Sequence, residues 1–483
     1  MQKIIKSSII LTLTEVFLMG LAILRIKIVA VKIGPAGLGV YGLLNSFFAI
    51  LMVISASWMC AMVVKYIAEY KSNQDYDSIN NVINITLILT FLITLLLILI
   101  SLIFREYIIE TFFNGKIVSD YYIIFSWSCL GYALKTIFNS LLQGLLDVSA
   151  TVRYRVVTSF IEILITILMV VYFDLIGFII SFVLSSIVHI IYIVYFLNKQ
   201  IWYRFRIDLK DTNLISKMLV FGKLNIFLSI ISSITQYYQR IITTINLNIL
   251  YVGYFQASQS VMNYMGILNR STTFMMLPSM SADMNIDDRN IQVNDYLRFT
   301  ILSNAFISII TVIFSRNLIK ILFASSFVEL DKFMLLFVLA QFLISVELIF
   351  QAIVLGMSLF KLHLVASIIN IICWLIVPIA LMKLIGFTSI PFSLLIASFL
   401  AILVEFYFLK RFKGLSIETS NYFIFGFSIL LIILPSLLKF ESFYLKLIEA
   451  LLLIPLFVLT LKKKEKVLIL SKVKGKLFSK RDN

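Results

Sequence analysis

The sequence has 483 residues, of which 61% are hydrophobic and only 14% are charged, and its mean hydropathy is +1.02. A soluble globular domain carries roughly 25% charged residues, so this composition excludes an ordinary soluble enzyme or binding domain. The formal net charge of +16 could indicate nucleic-acid binding. The excess basic residues, however, lie in short loops and in the tail 462–483, which is typical of a membrane protein that follows the positive-inside rule.

Apolar segments recur along the whole chain, and each is long enough to cross a hydrocarbon core of about 30 Å. They predict an all-α polytopic membrane protein with fourteen transmembrane helices. The predicted spans are 8–31, 40–63, 81–104, 121–142, 155–173, 176–197, 218–245, 251–277, 297–315, 333–356, 363–384, 389–409, 421–438 and 443–461. The N-terminal segment lacks a small-x-small cleavage site and is interpreted as a retained first span, not as a signal peptide.

The distribution of Lys and Arg predicts the topology. Of the 41 basic residues, 26 lie on the side that the N-terminus shares and nine lie on the other side, so both termini are predicted to be cytoplasmic. A faint repeat relates spans 1 and 2 to spans 7 and 8, and it predicts two lobes. We expect a six-helix N-terminal lobe at 1–200, a six-helix C-terminal lobe at 201–415, two further spans within 416–461 and a basic cytoplasmic tail at 462–483.

Span 7 carries a polar face that a lipid-exposed helix would not tolerate. At 100° per residue its polar side chains fall within about 100° of one another. They are Asn225, Ser229, Ser232, Gln236, Gln239, Arg240 and Thr243. Amides and a guanidinium find no partners in hydrocarbon, so this helix is predicted to line a polar interior.

Six basic residues lie within predicted spans, where each costs roughly 2.5–3.5 kcal/mol at a helix centre. Lys223 lies near the cytoplasmic end of span 7 and is interpreted as reaching the interface. Arg25 and Lys27 lie near the outer end of span 1. They could either reach the membrane interface or face a polar cavity, and both interpretations remain open.

The other three basic residues are predicted to face a polar interior. Lys135 shares its helix face with Asn139, and Arg240 lies on the polar face of span 7. Arg270 shares a face of span 8 with Gln256, Gln259 and Asn263. Buried cations of this kind are more often functional than purely structural.

The predicted spans contain fewer acidic than basic residues around any cavity between the lobes, and this excess of positive charge indicates the kind of substrate. Glu15 and Glu162 are the acidic residues within the first six spans, and each is a candidate for proton or Na⁺ coupling or a structural partner of a buried base. The basic residues outnumber them, and a cationic surplus in a low-dielectric wall attracts an anion. Guanidinium groups suit phosphate oxygens in particular.

Other chemistry is not indicated. His189 and His363 lie in apolar surroundings and are interpreted as core or interfacial residues, and the three cysteines as buried apolar ones. No Walker A sequence is present, and no metal or cofactor is predicted. The run Gly34–Gly39 follows a membrane helix, not a strand, so it is interpreted as a tight outer turn and not as a phosphate loop.

Three stretches carry a resemblance to a known family. The run KIVAVKIGPAGLGVYG at 27–42, VKYIAEY at 64–70 and LPSMS at 277–281 resemble the Wzx-type polysaccharide flippases. These flippases belong to the superfamily of MATE exporters and lipid II flippases. Lys27 and Arg240 lie where the family pattern has basic residues, while fourteen spans resemble the lipid II flippases more than the twelve-span members.

This resemblance implies two six-helix lobes around a V-shaped cavity. It also implies alternating access that moves an undecaprenyl-diphosphate-linked oligosaccharide outward across the bacterial inner membrane, as in O-antigen and lipopolysaccharide biosynthesis. With it, the expected partners are the lipid-linked substrate, membrane lipids, and the polymerase and chain-length machinery of polysaccharide assembly, for a protein expected to be a monomer. Nucleic acid is not an expected partner.

The predicted function is a lipid-linked oligosaccharide flippase, which is not an enzyme. The predicted substrate-binding residues are Arg25, Lys27, Lys135, Asn139, Gln236, Arg240, Asn263 and Arg270. One alternative is a MATE-like antiporter of cations or drugs, which would need a lone carboxylate in a neutral or negative cavity. Another is a lipid II flippase. A membrane glycosyltransferase or polymerase is disfavoured because the outer loops are short.

Overall fold

The structure, a computed structural model, describes residues 2–200, 203–205, 212–267, 269, 272, 273, 276, 280, 285–438 and 442–459. Within these ranges every regular element is a helix. The predicted all-α membrane architecture is confirmed. A bilayer core leaves helices as the usual solution for such apolar segments, because their backbone groups must be satisfied within the segment.

Fifteen α-helices are described. They are α1 (Gln2–Ser55), α2 (Cys60–Ser72), α3 (Tyr76–Ile103), α4 (Arg105–Phe113), α5 (Ser119–Gly144), α6 (Val148–Asn198), α7 (Thr212–Asn246), α8 (Ile249–Met265), α9 (Ile286–Ile313), α10 (Ser315–Leu322), α11 (Asp331–Gly356), α12 (Phe360–Ile385), α13 (Ser389–Lys413), α14 (Thr419–Leu438) and α15 (Phe443–Leu459). Six helical stretches of the described chain are long and apolar enough to cross a membrane by themselves, and one bent pair, Leu13–Ser55 with Ser57–Ser72, raises that number to seven.

Two long helices are each broken at a single residue between two predicted spans: α6 contains both 155–173 and 176–197, while α1 contains 8–31 and the part of 40–63 up to Ser55. Gly34 in α1 has φ 64° and ψ −173°, a conformation open to glycine. Pro35 then begins the next helical segment, where its missing N–H is not needed. Asp174 in α6 has φ 47° and ψ −126°. The tight turn predicted at Gly34–Gly39 is therefore a one-residue break, and the residues after it are already helical.

Side-chain caps begin two of the membrane helices. The Asp75 carboxylate accepts the Ser78 N–H at 3.0 Å at the start of α3, and Asp147 accepts the Ala150 N–H at 2.9 Å at the start of α6. Hydrogen bonds from the side chain and the main chain of Ser78 hold the pKa of Asp75 below its ordinary value. These caps satisfy helix N–H groups that would otherwise lack acceptors.

The chain forms two compact units. Unit 1 consists of Met1–Ser260, Ile319–Leu330 and Ser367–Ser393, and unit 2 consists of the remaining segments, Val261–Leu318, Asp331–Ala366 and Leu394–Asn483. These units do not test the predicted lobes at 1–200 and 201–415, which stay a prediction.

In unit 1, α5 packs along α6, while α1 packs against α6 and α7. An apolar core joins α2, α3, α5 and α6, with Phe138 and Tyr154 in edge-to-face contact at 4.8 Å between ring centroids. This packing fixes the rotation of α1, α5 and α6, and with it the direction of their polar side chains.

The second half of α1 and the start of α8 meet backbone to backbone in unit 1. A Cβ atom added at Gly39 would lie 2.1 Å from the Ile249 carbonyl oxygen, and one added at Gly253 would lie 1.8 Å from the Pro35 carbonyl oxygen. Such distances leave room for glycine alone. The two glycines thus form a reciprocal contact between these helices.

In unit 2, α9 packs against α11, α14 and α15. A closed triangle of buried polar side chains accompanies this packing. Asn304 Nδ2 donates to Asn269 Oδ1 at 2.9 Å, Asn269 Nδ2 donates to Ser345 Oγ at 2.7 Å, and Ser345 Oγ lies 3.0 Å from Asn304 Oδ1. The three side chains satisfy one another, as buried polar groups must.

Candidate functional site

A buried carboxylate on α6 gathers cations from two other helices of unit 1. Glu162 is 6% exposed and accepts from Lys135 Nζ at 3.0 Å. Arg25 Nη1 of α1 lies 3.8 Å from its second carboxylate oxygen. His189, from the second half of α6, also hydrogen-bonds to Glu162 through Nε2. Four segments of the fold therefore meet at one side chain.

The histidine extends this contact to a tyrosine. Tyr154 Oη lies 3.1 Å from His189 Nδ1. Because an ionised carboxylate only accepts hydrogen bonds, a neutral ring with its hydrogen on Nε2 satisfies both contacts when the tyrosine hydroxyl donates. His189 is buried, as expected for a core histidine, but its partner is the carboxylate of Glu162 and not an apolar wall.

The charges around Glu162 do not cancel. Two permanent cations face one carboxylate, which leaves one positive charge in excess. The Arg25 and Lys135 side chains are 22% and 28% exposed, so both keep a face that Glu162 does not cover. Arg25 also lies 5.2 Å from the Phe182 ring centroid, and Lys135 lies 5.0 Å from that of Tyr132. Both cations are therefore held in fixed positions by a carboxylate and an aromatic ring.

Arg240 of α7 is held without any acidic partner. Its side chain is buried, and Nη2 donates to the amide oxygens of Gln256 at 3.1 Å and Gln259 at 2.6 Å. Nη1 donates to the Gln236 carbonyl oxygen at 3.2 Å, and the Phe255 ring lies 5.2 Å from the guanidinium carbon. Among the residues that the structure describes, Arg240 forms no ion pair, and its buried Nε has no hydrogen-bond partner.

Two further residues of the polar face of α7, Gln239 and Thr243, are also buried. The buried Gln239 donates to the Trp374 carbonyl oxygen at 3.3 Å and to Ser393 Oγ at 3.4 Å. The apolar residues Phe227, Ile234 and Ile245 of the same helix are exposed. The helix thus turns its polar stripe inward, as the cost of burying polar groups in lipid requires.

Residues of α1 connect the two sets of cations. Tyr41 stacks on the Phe182 ring at 5.0 Å, the same ring that Arg25 covers. The next residue, Gly42, is adjacent to Arg240, because a Cβ added there would lie 3.6 Å from Arg240 Nε. Arg25, Lys135, Glu162 and Arg240 therefore belong to one neighbourhood of unit 1, which we call the basic cluster.

The remaining predicted site residues of unit 1 have their own contacts. Lys27 Nζ donates to the Lys320 carbonyl oxygen at 2.6 Å, near a helix C-terminus, where a cation is favourable. Asn139 Nδ2 donates to the Lys135 carbonyl oxygen at 3.0 Å, and its buried Oδ1 has no hydrogen-bond partner in the part of the chain that the structure describes. Gln236 is half-buried beside Arg240.

Glu15 contacts a different base. It forms an ion pair with Arg155, and both side chains are 37% exposed. The two predicted ion-coupling carboxylates thus differ, since Glu162 is buried and Glu15 is partly open.

Two predicted residues are not part of this neighbourhood as described. Asn263 is exposed and belongs to unit 2. Arg270 lies outside the described residues, as do most of the motif at 277–281 and the Lys223 side chain. In the described part of the chain, no group of three or more His, Cys, Asp and Glu residues is arranged to hold a metal ion.

Sequence reasoning did not assign three residues of this neighbourhood. Gln256 and Gln259 share a face of α8 at i, i+3 spacing, which is a visible signal, but that spacing does not show that they bind Arg240 of the preceding helix. Tyr41 gave no signal of its own, because one tyrosine among the 22 in the chain is not distinctive.

A comparison of the sequence with protein families decides the family. The model described as "Polysaccharide biosynthesis protein" matches residues 4–284, which is more than half of the chain. The chain belongs to this polysaccharide biosynthesis family. The match includes every member of the basic cluster, and it confirms at the level of the family the resemblance found in the sequence.

Several solved structures are similar to this chain in fold. The lipid II flippase MurJ in an inward closed conformation has a TM-score of 0.75 at 17% identity, covering 93% of this chain and 98% of that one. An inward-facing multidrug resistance MATE family transporter of the MOP superfamily has a TM-score of 0.68 at 15% identity, covering 83% and 96%.

A third such structure is a MOP superfamily transporter from Pyrococcus furiosus, described by the reverse polarity of its binding pocket. It has a TM-score of 0.56 at 14% identity and covers 84% of this chain and 96% of that one. Identities this low establish a shared fold alone. No protein of curated function matches the sequence.

Proposed function

We propose that this protein is a flippase. It moves undecaprenyl-diphosphate-linked oligosaccharide repeat units from the cytoplasmic to the outer leaflet of the bacterial inner membrane by alternating access. Its family and its fold support this proposal, and the charge of the basic cluster supports it further. The observation that carries it is Arg240, a buried guanidinium in a membrane helix that is held by amide oxygens without an ion pair.

The basic cluster suits a diphosphate in sign and in geometry. The cluster holds three permanent cations, Arg25, Lys135 and Arg240, and one carboxylate, Glu162, which pairs with Arg25 and Lys135. A planar guanidinium binds phosphate oxygens in a bidentate manner, and such charge-assisted hydrogen bonds are about twice as strong as neutral ones. In this proposal Glu162 holds two of the cations in place while their exposed faces bind the substrate.

The remaining predicted contacts complete the proposal. Lys27 and Arg270 add positive charge for the diphosphate, and Asn139, Gln236 and Asn263 hydrogen-bond the glycan. The polyprenyl tail stays in the lipid, because moving it into a polar cavity would cost about 0.8 kcal/mol per CH₂ group. Rocking of two helical lobes exposes the headgroup first inside and then outside. No covalent step is needed, so no catalytic residue is assigned.

Of the two acidic candidates for ion coupling, Glu162 is favoured over Glu15. Glu162 is buried and contacts His189, and histidine is the side chain whose ordinary pKa in water lies nearest physiological pH. A MATE-like exporter of cations is disfavoured by the same contacts, because the buried carboxylate is already bound by Arg25 and Lys135.

Export by charge-neutral variants tests the proposal. In a strain that lacks the chromosomal copy, the double variant Arg240→Gln with Lys135→Gln is expected to reduce export by at least roughly 10- to 100-fold, because the loss of even one charge-assisted interaction has that effect. Lipid-linked sugars should accumulate, and enzymatic accessibility should place them in the cytoplasmic leaflet. Mass analysis of the accumulated lipid distinguishes a repeat-unit flippase from a lipid II flippase.

Arg153→Gln, which removes an exposed cation of α6, is the matched control and should export normally. Normal export by the double variant, at an equal amount of protein in the membrane, would contradict the assignment of the basic cluster.

A further inference from the structure

Unit 2 contains a cavity that the proposed transport function does not use. It measures about 600 Å³ and lies where the turn between α11 and α12 meets the C-terminal end of α13. Leu362 and Val365 of α12 and Phe408 and Phe412 of α13 supply apolar walls. The two phenylalanine rings stack at 5.7 Å between centroids with an angle of 17°. This volume is within the usual range of roughly 300–1,000 Å³ for sites that bind small molecules.

Two lysines line the same cavity, and their surroundings are strongly basic. Lys361 and Lys413 are exposed, and neither forms an ion pair with any residue that the structure describes. The segments 356–365 and 406–415 that carry them contain four Lys and Arg residues and no Asp or Glu. The cavity therefore combines apolar walls with the positively charged amino groups of Lys361 and Lys413.

We propose that this cavity binds an anionic glycerophospholipid of the cytoplasmic leaflet. One acyl chain occupies the apolar space, and the phosphate binds Lys361 and Lys413. Both lysines belong to segments that the charge distribution predicts to be cytoplasmic, where anionic headgroups attract basic residues. A soluble phosphate would leave the apolar walls unused, and a zwitterionic lipid would not need two unpaired cations.

The chain's own C-terminal tail is a poor occupant of this cavity because of its charge. The tail 462–483 carries nine basic and two acidic residues, so it would be repelled by Lys361 and Lys413. A lipid with a negative headgroup matches both the apolar walls and the charge.

Lipid titrations of the full-length protein test this inference. Purified protein in detergent is mixed with dioleoyl phosphatidylglycerol or dioleoyl phosphatidylcholine, and native mass spectrometry counts the bound lipids. We expect the first phosphatidylglycerol to bind more tightly than phosphatidylcholine. The variant Lys361→Gln with Lys413→Gln should weaken phosphatidylglycerol binding about 25-fold, since each cation contributes about fivefold, and should leave phosphatidylcholine binding unchanged.

Further variants separate charge from shape. Val365→Trp, which fills the apolar space, should weaken binding of both lipids. The matched control is Arg153→Gln with Arg204→Gln, which removes two exposed cations of unit 1 on the same predicted side and should bind as the parent does. Soluble glycerol 3-phosphate should not displace the bound lipid, because it has no acyl chain.

Three results would overturn the inference. They are equal affinity for the two lipids, unchanged phosphatidylglycerol binding by the double lysine variant, and full displacement by glycerol 3-phosphate. If Val365→Trp fails to fold, the lipid binding of the double variant Lys361→Gln with Lys413→Gln still tests the inference. Because the inference does not depend on transport, failure of the export test leaves it standing.

Discussion

Replacing Glu162 with glutamine is expected to destabilise the protein by about 2–3 kcal/mol. Glu162 is 6% exposed and contacts Lys135 at 3.0 Å and Arg25 at 3.8 Å. Removing one partner of a buried ion pair costs roughly 3–5 kcal/mol, because the charge left behind is uncompensated. Here both cations remain partly exposed, and water screens them, so the expected cost lies at or below the lower end of that range.

The measurement is the free energy of unfolding in detergent micelles, from denaturant titrations followed by tryptophan fluorescence. Glu15→Gln is the matched control, because its pair with Arg155 is 37% exposed on both sides and should contribute at most about 1 kcal/mol. Adding Lys135→Met to Glu162→Gln should recover part of the loss, since it removes one unpaired cation. If Glu162→Gln costs no more than Glu15→Gln, the carboxylate does not hold the cluster together and the reasoning fails.

Gly253→Ala should lower the thermal midpoint, with a cost of roughly 1–3 kcal/mol, because its Cβ would lie 1.8 Å from the Pro35 carbonyl oxygen. Gly426→Ala, with no atom within 4 Å of its added Cβ, is the control, and equal midpoints would contradict the close contact. The lowered pKa of Asp75 means that its stabilisation is present above the ordinary carboxyl pKa and is lost as the pH falls through the folded-state value. Against Asp75→Asn, which does not titrate, the parent should therefore lose thermal stability in acid, and parallel pH profiles would refute this. Glu405 is buried and neither carboxylate oxygen has a hydrogen-bond partner among the described residues, so Glu405→Gln should leave the thermal midpoint unchanged or raise it; a clear decrease would reveal a partner.

The fold could be predicted from the sequence because the bilayer restricts the choices. Long apolar segments must be helices in hydrocarbon, so hydropathy alone located the helices, and the breaks at Gly34 and Asp174 fall between predicted spans. What hydropathy does not contain is the packing of one helix on another. The close contact of Gly39 with the Ile249 carbonyl is an example, since a glycine in an apolar segment does not name its neighbour.

The cations of the basic cluster could be recognised in the sequence, but their partners could not. Arg25, Lys135 and Arg240 stand out because cations within apolar segments are costly. The partners of these cations depend on helix rotation and tilt. The sequence therefore predicts that Glu162 pairs with a base, but it does not show that Glu162 pairs with both Arg25 and Lys135. His189 lies in apolar surroundings in the sequence, although its ring contacts Glu162.

Lys27 illustrates a different limit. Its partner is the main-chain carbonyl of Lys320, 293 residues away. Every residue carries a carbonyl group, so a sequence holds no signal for such a contact. Whether Lys27 also binds substrate stays a prediction.

The reciprocal approach of Gly39 and Gly253 has a consequence for comparing related chains. No side chain separates the second half of α1 from the start of α8 at this crossing, so a rotamer change cannot absorb a larger residue at either position. A homologue with alanine or a bulkier residue there must hold the two backbones farther apart. Those two alignment columns therefore indicate, before any coordinates are determined, which relatives share this helix crossing.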